Sequence, residues 1–121
     1  MEHFHQVQAD LRTPYRELGA AIPDVMAGFG ALHTATMAEG ALSAKVKELI
    51  ALSISITREC DGCIAAHARG AARQGATAEE VAEMIGVAIS LNGGPGTVWG
   101  PRALAAFQEF AGAPPASATG V

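Results

Sequence analysis

Two cysteines and a histidine lie within one short stretch of the chain, at spacings that suit sulfur chemistry. Cys60 and Cys63 are three residues apart, and His67 follows Cys63 by four. At the start of a helix the two cysteines would be neighbours in the first turn, close enough to form a disulfide, with His67 one turn further along the same face. A helix N-terminus stabilises a thiolate and lowers the pKa of a cysteine from about 8.5 toward neutrality. A dithiol with an adjacent base is the minimum equipment for thiol–disulfide or peroxide chemistry.

Three other interpretations fit this stretch less well. Cysteine often serves as a small buried hydrophobic residue, but two at this spacing with a histidine argue against it. A zinc site could take Cys60, Cys63 and His67, with Glu48 as the fourth ligand. Structural zinc sites usually combine ligand pairs from two segments, however, and no second pair exists here. A thioredoxin-type motif needs flanking strands, and strand patterns are nearly absent, so we expect redox chemistry on a helical scaffold.

Glu48 lies upstream of the cysteines, inside a segment that is apolar on nearly every face. Residues 46–57 therefore predict a buried central helix. A carboxylate there is either paired near the surface with Lys45 or Lys47, or held in the interior for proton transfer, because apolar surroundings favour its protonated form. From the segment alone, the surface pair is the preferred interpretation.

Helix signals punctuate the chain and predict an all-α bundle of about six helices. Alanine is abundant, and no stretch keeps the period of a strand for long. After an N-terminal helix around residues 3–11, helices are expected at about 14–21, 23–39, 44–58, 61–74, 78–91 and 101–111. Their start signals are Thr13 with Pro14, Pro23, Ser43, the capping box of Thr77 and Glu80, and Pro101. Residues 92–96 are expected to form a loop that permits close helix packing.

Length and composition indicate the number of domains and exclude some classes of partner. The 121 residues predict one domain at 1–111, with its core at about 23–110, followed by a disordered tail at 112–121. Half of the chain is hydrophobic and 17% is charged, which excludes intrinsic disorder and favours a homo-oligomer that covers apolar surface. A net charge of −4 with dispersed basic residues argues against nucleic acid. No apolar run suits a signal peptide or a membrane span, so we expect a cytoplasmic protein.

Four residues outside these motifs carry weaker signals. His3 and His5 could bind a metal, but we expect them to be exposed to solvent. His33, on the helix that follows Pro23, is expected to serve packing or an interface. Glu59 adjoins Cys60 and is expected to point outward, because an inward carboxylate would disfavour the thiolate.

The residues around the cysteines resemble those of a known family. These residues are similar to those of the carboxymuconolactone decarboxylase-like superfamily. They are Leu42, Ser43, Lys45, Lys47, Glu48, Leu49, Ile50 and Ala51, followed by Cys60, Cys63 and His67. Within it the chain resembles the alkyl hydroperoxidase D-like branch, which keeps the redox-active cysteine pair. Further matching residues are Gly75, Ala76, Thr77, Glu80, Gly93, Gly94, Pro95, Pro101, Arg102, Ala103 and Leu104. The resemblance covers about residues 23–110 and implies an all-α, alkyl hydroperoxidase D-like fold.

The resemblance implies a cysteine-dependent peroxidase or disulfide reductase, an antioxidant enzyme with peroxiredoxin activity. In the family the second cysteine, here Cys63, attacks the peroxide and becomes a sulfenic acid, and the first, here Cys60, condenses with it to a disulfide. Glu48 and His67 stand where the family places its proton relay, which favours the interior role for Glu48. An external dithiol, or a lipoylated or thioredoxin-like protein, would reset the pair, and the reaction needs no cofactor or metal.

Two features qualify what the resemblance implies. The best-known hydroperoxidases of this type carry a second histidine immediately before the second cysteine, where this chain has Gly62. The relay is then shorter, so peroxidase activity is expected to be weak or tuned to another oxidant. The chain also holds one copy of the helical core, and short members of this kind are homo-oligomers, trimers or hexamers. The alternative functions are a non-redox decarboxylase or lactone-processing enzyme of the same superfamily, or a structural oligomer.

Overall fold

The computed structural model of the chain describes residues 2–112, and these residues form helices and no strand. The helices are α1 (His3–Ala21), α2 (Pro23–Met37), α3 (Ala44–Thr57), α4 (Asp61–Arg73), α5 (Ala78–Asn92) and α6 (Gly94–Ala111). The predicted all-α class is therefore confirmed. The predicted disordered tail lies outside the described residues, apart from Gly112, which ends α6. Within residues 2–112, no helix combines the length and the apolar composition needed to cross a membrane.

The core lies between α3, α4, α5 and α6, and α1 packs across α4. Its largest fully buried side chains are Leu52, Ile56, Ile64 and Val81. Each such side chain contributes about 1.5–3 kcal/mol by leaving water. The buried face of α4 otherwise consists of alanines, which allow the neighbouring helices to approach closely: Ala65, Ala68 and Ala71. The cysteine helix is thus held on several sides by the bundle.

Side-chain caps fix where α3 and α5 begin, as the sequence predicts. The hydroxyl of Ser43 accepts the N–H of Val46 at 3.1 Å. The hydroxyl of Thr77 accepts the N–H of Glu80 at 3.1 Å, and the Glu80 carboxylate accepts the N–H of Thr77 at 2.9 Å. Lys45 donates to Glu80 at 2.8 Å, and this bond, together with the Thr77 N–H, holds the pKa of Glu80 below its ordinary value of 4.5. The capping box therefore also links α3 to the start of α5.

Two predicted helix starts, Pro14 and Pro101, are wrong, because both prolines lie inside longer helices. A proline inside a helix lacks an N–H donor and clashes with the carbonyl four residues earlier, at a cost of about 3 kcal/mol. The contacts of α1 with α4, and of α6 with α4 and α5, offset that cost. Local start signals at a Thr-Pro pair cannot report such long-range packing.

The predicted loop at residues 92–96 is shorter than expected. Gly93 alone joins α5 to α6, and its φ of 70° lies in the region that favours glycine. A Cβ at Gly96 would lie 2.9 Å from the Cα of Ile89, and one at Gly100 would lie 2.7 Å from Cγ2 of Ile85. These two glycines allow α5 and α6 to pack closely, which is the role predicted for this segment.

Helix α2 buries none of its residues. Its apolar side chains Val25, Phe29 and Leu32 are 64%, 60% and 64% exposed. Within residues 2–112, α2 packs against α1 and α3, and His33 of α2 approaches His67 of α4. The α2 face, defined here as Val25, Phe29 and Leu32, is therefore an apolar surface that no described part of the chain covers.

The caps provide the first test of the fold. Thr77→Ala is expected to lower the free energy of unfolding by about 1 kcal/mol, because the N–H of Glu80 loses its side-chain acceptor. Thr13→Ala is the matched control, since Thr13 lies inside α1, and it should change that free energy by less than about 0.5 kcal/mol. Urea unfolding measures both. An equal or larger loss in the Thr13 variant would mean that a helix begins at Pro14 after all.

Candidate active site

Cys60 and Cys63 meet at the start of α4. Their sulfurs lie at disulfide-bonding distance, and their Cα atoms are 5.2 Å apart. Cys60 is the N-cap residue, and its Sγ accepts the backbone N–H of Cys63 at 3.2 Å. Glu59 has a φ of 53° and turns the chain from α3 into α4, with its side chain exposed as expected. The free N–H groups of the first turn of α4 therefore surround the cysteine pair, where they favour a thiolate.

Glu48 reaches from α3 to His67 on α4. Oε2 of Glu48 lies 3.1 Å from Nδ1 of His67, and the two side chains are only 12% and 20% exposed. The surface pair preferred from the sequence segment is wrong, because both candidate lysines bind elsewhere. Lys45 donates to Glu80, and Lys47 donates to the carbonyls of Thr36 and Ala38 at 2.8 and 2.6 Å. Because α3 is apolar on nearly every face, its sequence pattern could not predict whether Glu48 faces solvent or the neighbouring helix.

The bond to Glu48 determines how His67 can act. A carboxylate only accepts, so Nδ1 of the imidazole must donate, and the assignment of the proton follows from that pairing. In the neutral ring Nε2 is then the free acceptor, which is the form a general base needs. His67 lies one helical turn after Cys63 on the same face of α4. It forms no hydrogen bond to either sulfur within the described part of the chain, where both cysteines are in the disulfide.

Gly70 is a site residue that the sequence reasoning missed. A Cβ at this position would overlap the carboxylate of Glu48, so only glycine leaves room for Glu48 beside His67. A sequence signal was present, because glycine inside a helix costs about 1 kcal/mol relative to alanine and Gly70 lies in an alanine-rich helix. An interior helix glycine of this kind indicates a close contact.

His33 comes closer to the site than expected. Its ring centroid lies 6.0 Å from that of His67, and it also stacks with Phe29, with ring centroids 6.4 Å apart. The side chain was expected to serve packing or an interface. The structure places it on the exposed helix α2, beside the partly buried pair of Glu48 and His67.

An ion pair anchors the start of α4. Both carboxylate oxygens of Asp61, the residue after Cys60, accept from Nη2 of Arg102, at 3.2 and 3.0 Å. Arg102 in turn lies over the ring of Trp99 at 4.7 Å, and His3 approaches Asp61 at 3.2 Å. The guanidinium offsets the negative charge of Asp61, which would otherwise disfavour a thiolate next to it. Sequence reasoning assigned Arg102 no such contact, because the two residues are distant in the chain.

The metal-ligating side chains that lie close together are at the start of α1, away from the cysteine pair. A zinc ion would need the thiolates of both cysteines, and the disulfide takes up both. Within residues 2–112 one group of three ligating atoms lies within 4.8 Å of one another: Glu2, His5 and Glu109. The carboxylate of Glu109 accepts the N–H groups of Phe4 and His5, each at 3.1 Å, and thereby caps the N-terminus of α1. That capping role explains the position of Glu109 without an ion.

The chain belongs to the carboxymuconolactone decarboxylase family. Residues 23–111 match the sequence model of that family. The matched range contains both cysteines, His67 and Glu48. The family that the sequence resembles is thus the one that the match shows.

The chain is also similar to individual proteins over most of their length. A protein of Cupriavidus necator is 37% identical over 101 residues, which are 84% of this chain and 89% of that protein. Protein 4 of the cox locus of Paracoccus denitrificans is 39% identical over 95 residues, 78% of this chain and 83% of that protein. The crystal structure of an apo carboxymuconolactone decarboxylase family protein from Legionella pneumophila matches with a TM-score of 0.86 at 36% identity, covering 89% of this chain and 96% of that one. The helical architecture is therefore that of the family.

Gly70→Ala is expected to separate Glu48 from His67 without unfolding the protein, because the Glu48 side chain can swing away from the new Cβ. Alanine has a higher helix propensity than glycine, which raises the free energy of unfolding of the variant by up to about 1 kcal/mol. Nitrogen NMR of the imidazole reports the outcome: the His67 proton resides on Nδ1 in the wild type, and this preference disappears in the variant.

The matched control for Gly70→Ala is Gly86→Ala on α5, where a Cβ meets no atom within 4 Å. This control should leave the His67 signals unchanged. An unaltered Nδ1 proton in the Gly70 variant would contradict the close fit between Glu48 and α4.

Proposed function

We propose that this protein is a cysteine-dependent peroxidase or disulfide reductase that cycles between the dithiol and the disulfide of Cys60 and Cys63. The observation that carries the proposal is the position of the pair, at disulfide-bonding distance on the N-terminus of α4. The hydrogen-bonded pair of Glu48 and His67 lies one turn further on and supplies the base. Membership of the family supports a catalytic scaffold, while the family name itself denotes a decarboxylase.

The oxidative half-reaction uses both sulfurs. The thiolate of Cys63 attacks the terminal oxygen of a hydroperoxide, the O–O bond breaks, and the other oxygen leaves with a proton as an alcohol. Cys63 is then a sulfenic acid. The sulfur of Cys60 attacks it, water leaves, and the S–S bond forms, so that one peroxide takes two electrons from two thiols. Cys63 is assigned the first attack because it is exposed, whereas Cys60 is half-buried.

His67 and Glu48 move the protons. Nε2 of His67 takes the proton of the Cys63 thiol, directly or through one water molecule, and returns it to the leaving alcohol. The carboxylate of Glu48 holds the ring in position and stabilises the imidazolium that forms between the two transfers. The low exposure of both side chains strengthens their mutual attraction.

An external dithiol completes the cycle. One of its sulfurs attacks the disulfide to form a mixed disulfide, and its second sulfur releases the reduced cysteine pair. We propose a lipoylated or thioredoxin-like protein, or a small dithiol, as this electron donor. The oxidant is a small peroxide, and the reaction belongs to the cytoplasm, where the surroundings keep thiols reduced.

The second candidate function is a non-redox one, the decarboxylation or lactone processing that the family name suggests. In a non-redox reaction of this kind, the cysteine pair has no catalytic role. The wild-type protein would then consume no peroxide, which the kinetic measurement described below distinguishes.

The α2 face favours a homo-oligomer, and we propose a trimer or hexamer. Full burial of a large apolar side chain such as Phe29 stabilises a protein by about 1.5–3 kcal/mol. In the isolated chain, the three exposed side chains of the α2 face do not gain this stabilisation. A second copy is the occupant that fits, because the α2 face carries no charged residue and an apolar surface is complementary to itself. His33 lies on the same helix, so the interface would adjoin the active site.

Single-cysteine variants test the redox function. Cys63→Ser should abolish peroxide consumption, because no thiolate remains to attack. Cys60→Ser should consume about one equivalent and then stall as a sulfenic acid, because the resolving sulfur is missing. Stopped-flow kinetics with a dimedone trap for sulfenic acid measures both. Equal residual cycling in the two variants would contradict the assigned roles, and wild-type protein that consumes no peroxide would contradict the function.

Charge on the α2 face tests the oligomer. Leu32→Glu should reduce the particle to a single 12.3 kDa chain, because a desolvated carboxylate opposes association. Ala82→Glu adds the same charge to an exposed site on α5 and should leave the wild-type mass of three or six chains. Light scattering coupled to size exclusion reads the mass. A monomeric wild type, or an oligomer insensitive to Leu32→Glu, would overturn the proposal.

A further inference from the structure

A groove runs between α1 and α4, on a face of α4 different from the one that carries His67. A cavity of about 750 Å³ and a second of about 290 Å³ form this groove, and they share the lining residues Gln8, Arg12 and Arg69. The smaller cavity extends to Gly62, the residue directly before Cys63. Volumes of this size are those of small-molecule sites. The α1–α4 groove therefore connects a ligand-sized cavity to the cysteine turn.

Three arginines line the larger cavity: Arg12, Arg69 and Arg73. The chain has a net charge of −4 and only eight lysines and arginines, which look dispersed along the sequence. None of the three guanidinium groups forms an ion pair with a carboxylate in residues 2–112, and Arg69 donates only to the neutral Oε1 of Gln8, at 3.2 Å. Like charges gathered without partners repel each other, and a bound anion would offset that repulsion.

The surroundings of the arginines do not supply this anion. Glu109 lies near His5 at the edge of the cavity, but its carboxylate already accepts the His5 ring and two backbone N–H groups. Arg73 lies in the last turn of α4 and complements the helix dipole there. Arg12 lies in the middle of α1, and no such effect accounts for its position.

Apart from His5 and Gln8, the other side chains that line the groove are largely apolar. Phe110 and three alanines line the larger cavity, and Leu11 and Tyr15 line the smaller one on the way to Gly62. Leu11 lies against Gly62, where a Cβ would come within 3.2 Å of its Cδ1. Along α4, Arg69 and Cys63 are separated by about 9 Å, six residues at 1.5 Å each. A hydrocarbon chain of moderate length spans that distance.

We propose that the α1–α4 groove binds an organic acid, with its carboxylate between Arg12 and Arg69 and its hydrocarbon chain along Leu11 and Tyr15. A guanidinium binds a carboxylate through two parallel hydrogen bonds, and the apolar walls take the chain. Given the proposed function, the ligand is the substrate, a hydroperoxide that also carries a carboxylate. The peroxide end then lies toward Gly62 and the cysteine pair.

Binding is tested on the disulfide form, which needs no turnover. Calorimetry with decanoate should give saturable binding, and the uncharged decanol should bind at least about tenfold more weakly. Arg69→Gln and Arg12→Gln should each weaken decanoate binding about tenfold or more, and Arg69→Lys should weaken it less than Arg69→Gln because the charge remains. Arg16→Gln is the matched control, because Arg16 is an arginine of α1 that lines neither cavity, and this variant should bind as the wild type. Circular dichroism confirms that each variant is folded.

Equal binding of decanoate and decanol, or equal loss in the Arg16 variant, would overturn the inference. A kinetic comparison separates it from the proposed function. Oxidation of the cysteine pair by 10-hydroperoxydecanoate and by tert-butyl hydroperoxide gives a ratio of rates, which should fall about tenfold in Arg69→Gln. A ratio that does not change refutes the substrate class while leaving the peroxidase. Arginine-dependent decanoate binding with no oxidation by either peroxide supports the site and refutes the peroxidase.

Discussion

The hydrogen bond between Glu48 and His67 joins α3 and α4 at the point where chemistry is proposed, and it depends on how closely these two helices pack. Glu48 could not stay beside α4 if Gly70 carried a side chain. The bond also has to be shielded from water, and the buried Leu52 and Ile64 of the same two helices hold α3 and α4 together. A carboxylate with little exposure is tolerated here because the imidazole of His67 donates a hydrogen bond to it.

Much of the fold could be predicted from the sequence where the determining contacts are local. Ser43 and Thr77 cap the helices that they were expected to cap, since a cap joins residues two or three positions apart. Pro14 and Pro101 misled because their local signals are those of helix starts, whereas packing between distant helices decides that the helices continue. Spacing along one helix likewise predicted that the two cysteines adjoin.

The rest of the site depends on how helices are rotated against each other, which periodicity cannot report for a helix such as α3 that is apolar all round. For this reason the segment alone favoured a lysine partner for Glu48, and only the family resemblance pointed to the interior. The same limit applies to the basic residues. Arg12 and Arg69 look dispersed in sequence, yet the crossing of α1 over α4 brings them to one cavity. Their proximity results from the packing of α1 on α4, and no periodic pattern in the sequence predicts it.

The central claim is that the cysteine pair cycles between dithiol and disulfide, and intact mass spectrometry combined with a thiol count tests it most directly. The fully reduced protein is given one equivalent of hydroperoxide and is then treated with a dithiol. We predict a rapid loss of two hydrogens and of both thiols, mapped to Cys60 and Cys63 and fully reversed by the dithiol. Two thiols that stay free and unreactive would contradict the account, and a gain in mass equal to one zinc ion would point to a metal site instead.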